Sequence, residues 1–523
     1  LIEDWLPFDA IGVESLRDAS AARKPPMNRL HVWWARRPLT ISRATIVASL
    51  LPSWDELKIR IEESPDSGLK LHFPSKDAYH SWYQHFLGIR GDPVKGREEL
   101  RHATEAGIIL GKDAYGGAPR AFTVSPSAED LRLMAQVLSL TWGSDALSDY
   151  CVLDPFAGGG SIPFEARRYG LTTIANELNP VAAVVLKATL DYPLRFGPSL
   201  ADDIRKWGKE WSRRVRKKLA PFYRNQPNDH KPTYIWARTV ACPVTGKPVP
   251  LSPNWWLSKS NRRTPVAVRL LTDPAWGEPH FEIASGDAID FDPYQGTISR
   301  GVGRSPWTGD PIDGDYIKAE AQAGRMGQML YAIANKKPGK PDFRVPVQDD
   351  LDAIRAAEAE LARKKPLWEA QDIIPSEAIP DGLKTSESLR YGMYVWSDML
   401  SPRQLLAMGT FVETFHELRE DMDAAIGDER AAAVQVYLAI ALNKAPNYNS
   451  QLSVWHPYRT SVANTFNRHD FAFAWSHGEF DSSADLLPWT INQIVSAYRE
   501  MAKLLAPPKT TLEGGSIEHG PLT

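Results

Sequence analysis

Residues 154–161 read Asp-Pro-Phe-Ala-Gly-Gly-Gly-Ser. Three consecutive glycines let a chain turn tightly and bring its backbone against a ligand. Glu177 follows about twenty residues on, where the second strand of a nucleotide-binding sheet places an acid that accepts hydrogen bonds from ribose hydroxyls. Asp154, Gly158, Gly159, Gly160 and Glu177 are therefore the first candidates for a cofactor site. The turn lacks the third spaced glycine of G-x-G-x-x-G, which argues against a dinucleotide. It also lacks Gly-Lys-Ser/Thr, which argues against nucleoside triphosphate hydrolysis. Close packing is the competing use of such glycines.

Positioning these residues requires a strand before the turn, and the apolar run Cys151-Val152-Leu153 reads as a short buried strand. A helix over 162–169 ending at Gly170, a second strand in "LTTIANEL" and a helix opening after Asn179-Pro180 follow. Strand, helix, strand, helix is the opening of a doubly wound parallel sheet. Upstream, Leu131, Met134, Ala135, Leu138 and Trp142 recur at helical spacing over 127–142. The opening block, 1–52, reads as two helical pieces separated by a turn at Lys24-Pro25-Pro26, and 53–120 as an insertion or linker with a few helices. After Pro193, "DDIRKWGKEWSRRVRKKLAPFY" puts Trp207, Trp211, Val215 and Leu219 on one helical face and cations on the other. The stretch 230–345 is rich in proline and turns, with short strands, and helices dominate 351–505.

The net charge of −3 gives no global basic field, so any nucleic-acid surface must be a local patch. Two cysteines, Cys151 and Cys242, cannot build a disulfide framework or a multi-cysteine zinc site, and a reducing cytoplasm suits them. No run of about 18 apolar residues marks a membrane span. The 18 tryptophans carry large apolar areas and suit anchors between elements.

"DPFAGGGS" closely resembles the D-P-F-x-G-x-G-T/S signature of S-adenosyl-L-methionine-dependent methyltransferases acting on exocyclic amines of DNA bases. Longer stretches, "ARKPPMNRLHVWWARRPLTISRATIVASLL", "CPVTGKPVPL", "GRMGQMLYAIA", "YGMYVWSDMLSPRQLLAM" and "APNYNSQLSVWHPYRTSVANTF", resemble successive blocks of the large adenine-specific DNA methylases, some of them associated with phage defence. Trp-Trp-Ala-Arg-Arg-Pro is the most specific piece. The resemblance implies an α/β fold, a Rossmann-like class I methyltransferase sheet interrupted by a large mixed, mainly helical insertion. Its implied parts are an N-terminal helical domain (1–52), an insertion (53–120), the first half of the methyltransferase core (121–200), a Pro-rich insert with a degenerate zinc-ribbon-like segment (201–345), a helical insert (346–505) and a return to the core (506–523). It implies S-adenosyl-L-methionine as cofactor, held by Asp154, Phe156, Ala157, Gly158, Gly159, Gly160, Ser161, Glu177 and Asn179. Double-stranded DNA and other phage-defence proteins are the implied partners, and methyl transfer to the N6 of an extruded adenine the implied reaction.

Two departures matter. Thr245 stands where a second zinc thiolate would follow Cys242, so no metal is expected. The D/N/S-P-P-Y/F/W loop that would hold the target amine is missing, since "DPAW" at Asp273 and "DPYQ" at Asp292 do not match it, so no catalytic residue is assigned. One expectation is that the loop lies beyond these 523 residues. The alternative is a non-catalytic DNA-binding or scaffold subunit that keeps the fold.

Three patches pair cations with aromatics or line them along a helix. His31, Trp33, Trp34, Arg36, Arg37 and Arg43 suit DNA phosphates or a cover over the methionine end of the cofactor. Arg205, Lys206, Lys209, Arg213, Arg214, Arg216 and Lys217 form a face that suits phosphates or solvent. Lys259, Arg262 and Arg263 beside Trp255 and Trp256 suit a displaced strand or a flipped base. From these, Arg36, Arg37, Arg213, Arg214, Lys259, Arg262 and Arg263 are the DNA-binding candidates. His456, Tyr458 and Arg459 read as structural or DNA-contacting, and Asn447, Tyr448 and Asn449 suit contacts to bases.

Overall fold

A computed structural model describes residues 1–20, 24–33, 35–108, 110, 114–223, 229, 231–259, 264–337, 340–466 and 470–506. Its contacts divide the chain into two units, Leu1–Ile204 with Ala432–Tyr437 and Gln493–Thr523, and Arg205–Ala431 with Leu438–Asn492. The segment 507–523, read as a return to the core, lies outside the described residues.

In the first unit, α1 (Phe8–Ala19) and α2 (Leu39–Leu50) pack together, Pro38 standing just before α2. Pro26 opens a one-turn helix, Pro26–Leu30, in place of the expected turn, because its fixed φ suits a first helical position. Helix α3 (Ala128–Trp142) starts on a capping box between Ser127 and Asp130 and stops at left-handed Gly143. Leu131, Met134 and Leu138 are buried, whereas Trp142 lies at the surface with its Nε1 donating to Leu50 O at 2.8 Å.

Residues 53–120 are not a linker. Leu57, Ile61, Tyr79, Tyr83 and Phe86 share one hydrophobic core with Val47, Met134, Leu138 and Tyr169. Several short helices carry them, including Trp54–Glu63 and Lys76–Phe86, and segments that short blur the period by which a buried face is read.

Strand β1 (Cys151–Asp154) pairs in parallel with β2 (Thr172–Ala175), from Cys151 opposite Thr172 to Asp154 opposite Ala175. Helix α4 (Ser161–Arg168) crosses between them, and α5 (Pro180–Leu186) follows. Among the described residues this sheet has two strands. The strand read as buried is not: Cys151 is exposed and Leu153 is 63% exposed, and Ile174, Val181 and Val184 also face solvent. Parallel strands are normally covered on both faces, and this pair has a bare apolar side.

The second unit is built on β3 (Pro232–Ala241), which pairs with β4 (Pro248–Leu251). A separate antiparallel sheet follows, made of β5 (Trp256–Ser258), β6 (Val266–Leu271) and β7 (His280–Ser285). Strands β8 (Gly327–Lys337) and β9 (Lys340–Arg344) extend the β3 sheet. Helices α6 (Pro402–Ile426) and α7 (Asp428–Tyr448) come next, and β10 (Ser476–Phe480) closes the β3 sheet on its other side. The amphipathic segment read over 203–219 falls in the helix Leu200–Leu219, and Trp207, Trp211, Val215 and Leu219 are all buried. Trp211 Nε1 donates to Phe411 O at 3.1 Å, so this tryptophan ties its helix to α6.

Candidate functional site

Strand β1 ends on Asp154, whose buried carboxylate accepts from Phe156 N at 3.2 Å. Burial pushes its carboxyl above the usual range, and the Phe156 amide opposes that shift. The chain then turns through Gly158 (φ +51°) and Gly160 (φ +80°), left-handed conformations that glycine adopts without strain. Ala157 N donates to Asn176 O at 3.0 Å, which fastens the turn to the loop after β2.

That loop carries Glu177. One carboxylate oxygen accepts from Gly158 N at 2.7 Å and the other from Asn179 N at 3.1 Å. The acid thus spans the tips of both strands. The Asn179 and Gly158 amides hold its carboxyl below the usual range, so it is ionised at neutral pH. Asn179 itself caps α5, its Oδ1 accepting from Val181 N at 2.9 Å and Ala182 N at 3.3 Å. Ser161 is buried with Oγ 4.0 Å from Met27 Sδ, whereas Phe156, 85% exposed, stands in solvent beside the turn.

Each glycine of the triplet also meets another part of the first unit. A Cβ at Gly158 would lie 2.6 Å from Trp33 Nε1, at Gly159 2.5 Å from Arg36 Nε, and at Gly160 2.9 Å from Leu186 Cδ2. Trp33 and Arg36 therefore rest on the turn. Arg36 donates to Asn28 Oδ1 at 2.8 Å, and to His31 O and Gly159 O at 3.4 Å each. Its Nε is buried without an acceptor, and burial pulls the guanidinium down to about 10.

Beneath the turn, α4 is anchored by a charged centre. Fully buried Arg43 donates from Nε to Glu165 at 2.9 Å and from Nη1 to Leu87 O and Val124 O, both at 2.9 Å. Arg168 reaches the other Glu165 oxygen at 2.7 Å, and Tyr169 hydroxyl donates to Glu165 as well. Burial would raise the Glu165 carboxyl, but Arg168 and Arg43 outweigh it and hold it below its ordinary value. Arg43 is thus a fixed support of the site.

The remaining candidates have local partners or fall elsewhere. Arg37 is exposed. Arg213 pairs with Glu210 at 2.7 Å, and Arg214 joins Glu210 at 2.8 Å to Asp421 at 2.6 Å. Trp255 is buried, and Lys259 lies among aromatic rings. Trp34, Arg262 and Arg263 lie outside the described residues. Asp273 and Asp292 each accept a backbone N–H two residues on, at 2.8 and 3.0 Å, so "DPAW" and "DPYQ" form local turns in the second unit. Cys242 Sγ lies 3.2 Å from Ser305 Oγ, and among the described residues no group of three or more His, Cys, Asp or Glu is placed to hold a metal. Two residues that the sequence reading missed are Asn28, which holds Arg36, and Tyr294, which lies against Lys259. The only sequence signal at Tyr294 is its place in the "DPYQ" turn.

Residues 5–73 match a family model described as a protein of unknown function (DUF1156). No curated protein and no solved structure matches the chain. No described helix is long and apolar enough to cross a membrane.

Proposed function

We propose that the glycine turn and Glu177 bind S-adenosyl-L-methionine, and that the chain serves as a DNA methyltransferase in the cytoplasm, acting on adenine N6 with double-stranded DNA as partner and a place in phage defence. The observation that carries the reading is the Glu177 carboxylate, set across the carboxyl ends of two parallel strands by Gly158 N and Asn179 N. Each of its oxygens keeps lone pairs for ribose hydroxyls. The donor set also fits the amino-acid end of the cofactor, since the unmatched Arg36 Nε lies beside Gly159 and can take a carboxylate. When bound, the cofactor supplies an electrophilic methyl group on a sulfonium.

The chain's own residues orient and enclose. Asp154 fixes the first residues of the turn, Trp33 and Arg36 cover it, and Phe156 presents a ring at its rim. No acceptor loop of the D/N/S-P-P-Y/F/W kind is present in the sequence, so the group holding the amine is left unassigned. The pair β1–β2 then belongs to a Rossmann-like sheet, whose covering helices would rest on the bare side at Leu153 and Ile174.

A second reading, a non-catalytic DNA-binding or scaffold subunit of a defence complex, is favoured by one observation. Trp33, Arg36 and Leu186 already account for all three glycines. Calorimetric titration of the folded chain with S-adenosyl-L-methionine and S-adenosylhomocysteine tests the first reading. Binding is expected, and Glu177→Ala should weaken it by about tenfold or more, the loss of charge-assisted hydrogen bonds of about 1.5–3 kcal/mol. Failure of both ligands to bind makes the turn a packing feature. Binding without transfer of labelled methyl to any DNA supports the second reading.

A further inference from the structure

Three stretches of the second unit, distant in sequence, converge on the end of β5. Trp255 N donates to Pro293 O at 2.8 Å, and Lys259 N to Pro457 O at 3.1 Å. These backbone bonds bring Trp256, Tyr294 and Tyr458 around one ammonium. Lys259 Nζ lies 4.0 Å from the ring centre of Tyr294, 4.9 Å from that of Tyr458 and 5.9 Å from that of Trp256. Tyr294 and Tyr458 are 57% and 55% exposed. The hydrogen bond from Tyr294 N to Asp292 Oδ1, 3.0 Å, fixes the turn that presents its ring.

Lys259 differs from the cations of the helix Leu200–Leu219. Arg213, Arg214 and Lys218 each meet a carboxylate within 3.0 Å. Among the described residues no carboxylate lies within ion-pair distance of Lys259. Among the described residues its charge meets ring quadrupoles rather than a carboxylate.

Beside the rings lies a cavity of about 180 Å³ lined by Trp256, Tyr331, Phe473 and Trp475, with Asn254 and Ser476 as polar walls. Trp256 Nε1 is a buried donor with no acceptor. An unmatched buried N–H calls for a partner, and a ligand with an acceptor edge would supply one.

We propose that this surface binds single-stranded nucleic acid. Unpaired bases stack on Tyr294 and Tyr458, Lys259 meets a backbone phosphate, and one base enters the cavity, where its edge accepts from Trp256 Nε1. The chemistry decides among ligands. Duplex DNA keeps its base faces stacked and out of reach of the rings, and a neutral sugar would leave Lys259 without an anion. A strand with free base faces and phosphates uses every feature of the site.

The inference does not rest on the cofactor reading, and its test uses no cofactor. The full chain is titrated against a fluorescein-labelled deoxythymidine oligomer of about 12 nucleotides, within the range that single-strand sites span, and anisotropy is recorded. Tyr294→Ala and Tyr458→Ala should each weaken binding by about tenfold or more. Because both rings are largely exposed, the circular dichroism of the variants should match that of the parent. Lys259→Gln should reduce the slope of log affinity against log salt by about 0.7. Trp256→Phe keeps a ring and removes the donor, and should change the order of preference among thymidine, adenosine and cytidine oligomers. The proposal is overturned by absence of binding, by equal competition from a duplex, by unchanged affinity in the tyrosine double variant, or by binding of a neutral oligosaccharide with the same variant sensitivity. An unchanged base preference in Trp256→Phe removes the cavity from the site. Loss of Glu177 in the first unit should leave this titration unchanged, so the two proposals fail separately.

Discussion

Glu165 in the first unit and Glu479 in the second are both fully buried and both held by arginine, yet their surroundings differ. Glu165 is shared by Arg43 and Arg168, and the surplus positive charge is spread over the carbonyls of Leu87, Phe122 and Val124. Glu479 takes both hydrogen bonds of a single fork, Arg403, at 2.8 and 2.9 Å, together with Trp236 Nε1 at 2.9 Å. The Arg403 guanidinium also lies 4.6 and 4.2 Å from the ring centres of Tyr223 and Tyr234. The first centre has two guanidiniums on one carboxylate, with a single ring, Tyr169, 5.7 Å from Arg43, whereas the second has one guanidinium with two ring faces closer to it.

Removing the acids should expose that difference. Breaking a buried pair costs about 3–5 kcal/mol because the partner charge is left uncompensated. Glu165→Ala strands two guanidiniums and should lie at the top of that range, with Glu479→Ala near the bottom. Denaturant unfolding of both variants measures the order, and a larger loss at Glu479 would break the comparison.

Asp18 sharpens it from the opposite side, as a buried carboxylate without an arginine. Its Oδ2 accepts from Thr40 N and Oγ1 at 3.3 and 3.2 Å, and its Oδ1 has no partner. Burial pushes it up to about 7 despite the hydrogen bonds from Thr40. The folded form therefore holds a proton that the unfolded chain releases near 4, so stability falls as pH rises from about 4 to about 7. Glu165 has the reverse sign: its stabilisation is present above the ordinary carboxylate range and is lost as pH falls through its depressed value. Asp18→Asn should flatten the fall between pH 4 and 7 and gain on the order of 1–2 kcal/mol at pH 8. Melting temperatures across that range, parallel in variant and parent, would contradict it.

The smallest expected effect is the difference between two left-handed glycines, one of them in the turn above Glu165. Gly160→Ala forces a left-handed alanine and a contact with Leu186, at a cost of about 1–2 kcal/mol. Gly143→Ala, also left-handed but with open space around it, should cost only the conformational part. Equal losses at the two glycines would mean that Leu186 yields freely.

Local punctuation made the glycine turn legible. An apolar run, three glycines, Gly170 and Asn179-Pro180 mark strand, turn and helix boundaries within one short window, and the elements fall there. The face of Trp207, Trp211, Val215 and Leu219 was legible for the same reason, since one uninterrupted helix carries it. What lay over the turn was not. Arg36 reaches Gly159 across 123 positions, and no periodicity within an element encodes such a pair. Of the two tryptophans read beside Lys259, Trp256 is one of its rings and Trp255 is buried, whereas Tyr294 and Tyr458 come from segments remote in sequence. The partner of a cation in a charge run was hidden for a related reason: Asp421 on α6, which meets Arg214, is remote in sequence.

The first unit is finished by residues from late in the chain. Tyr498 hydroxyl donates to Gly197 O at 2.5 Å, Tyr437 hydroxyl to Ala188 O at 2.6 Å, and Arg29 pairs with Glu500. On a ribosome adding about 5–20 residues per second, the stretch between Ile204 and Gln493 takes roughly 15–60 s to emerge. For that interval the first unit lacks Tyr498 and Glu500, which reach Gly197 O and Arg29 in the folded chain. Timing of synthesis, as much as equilibrium stability, therefore bears on how much of this protein reaches its folded state.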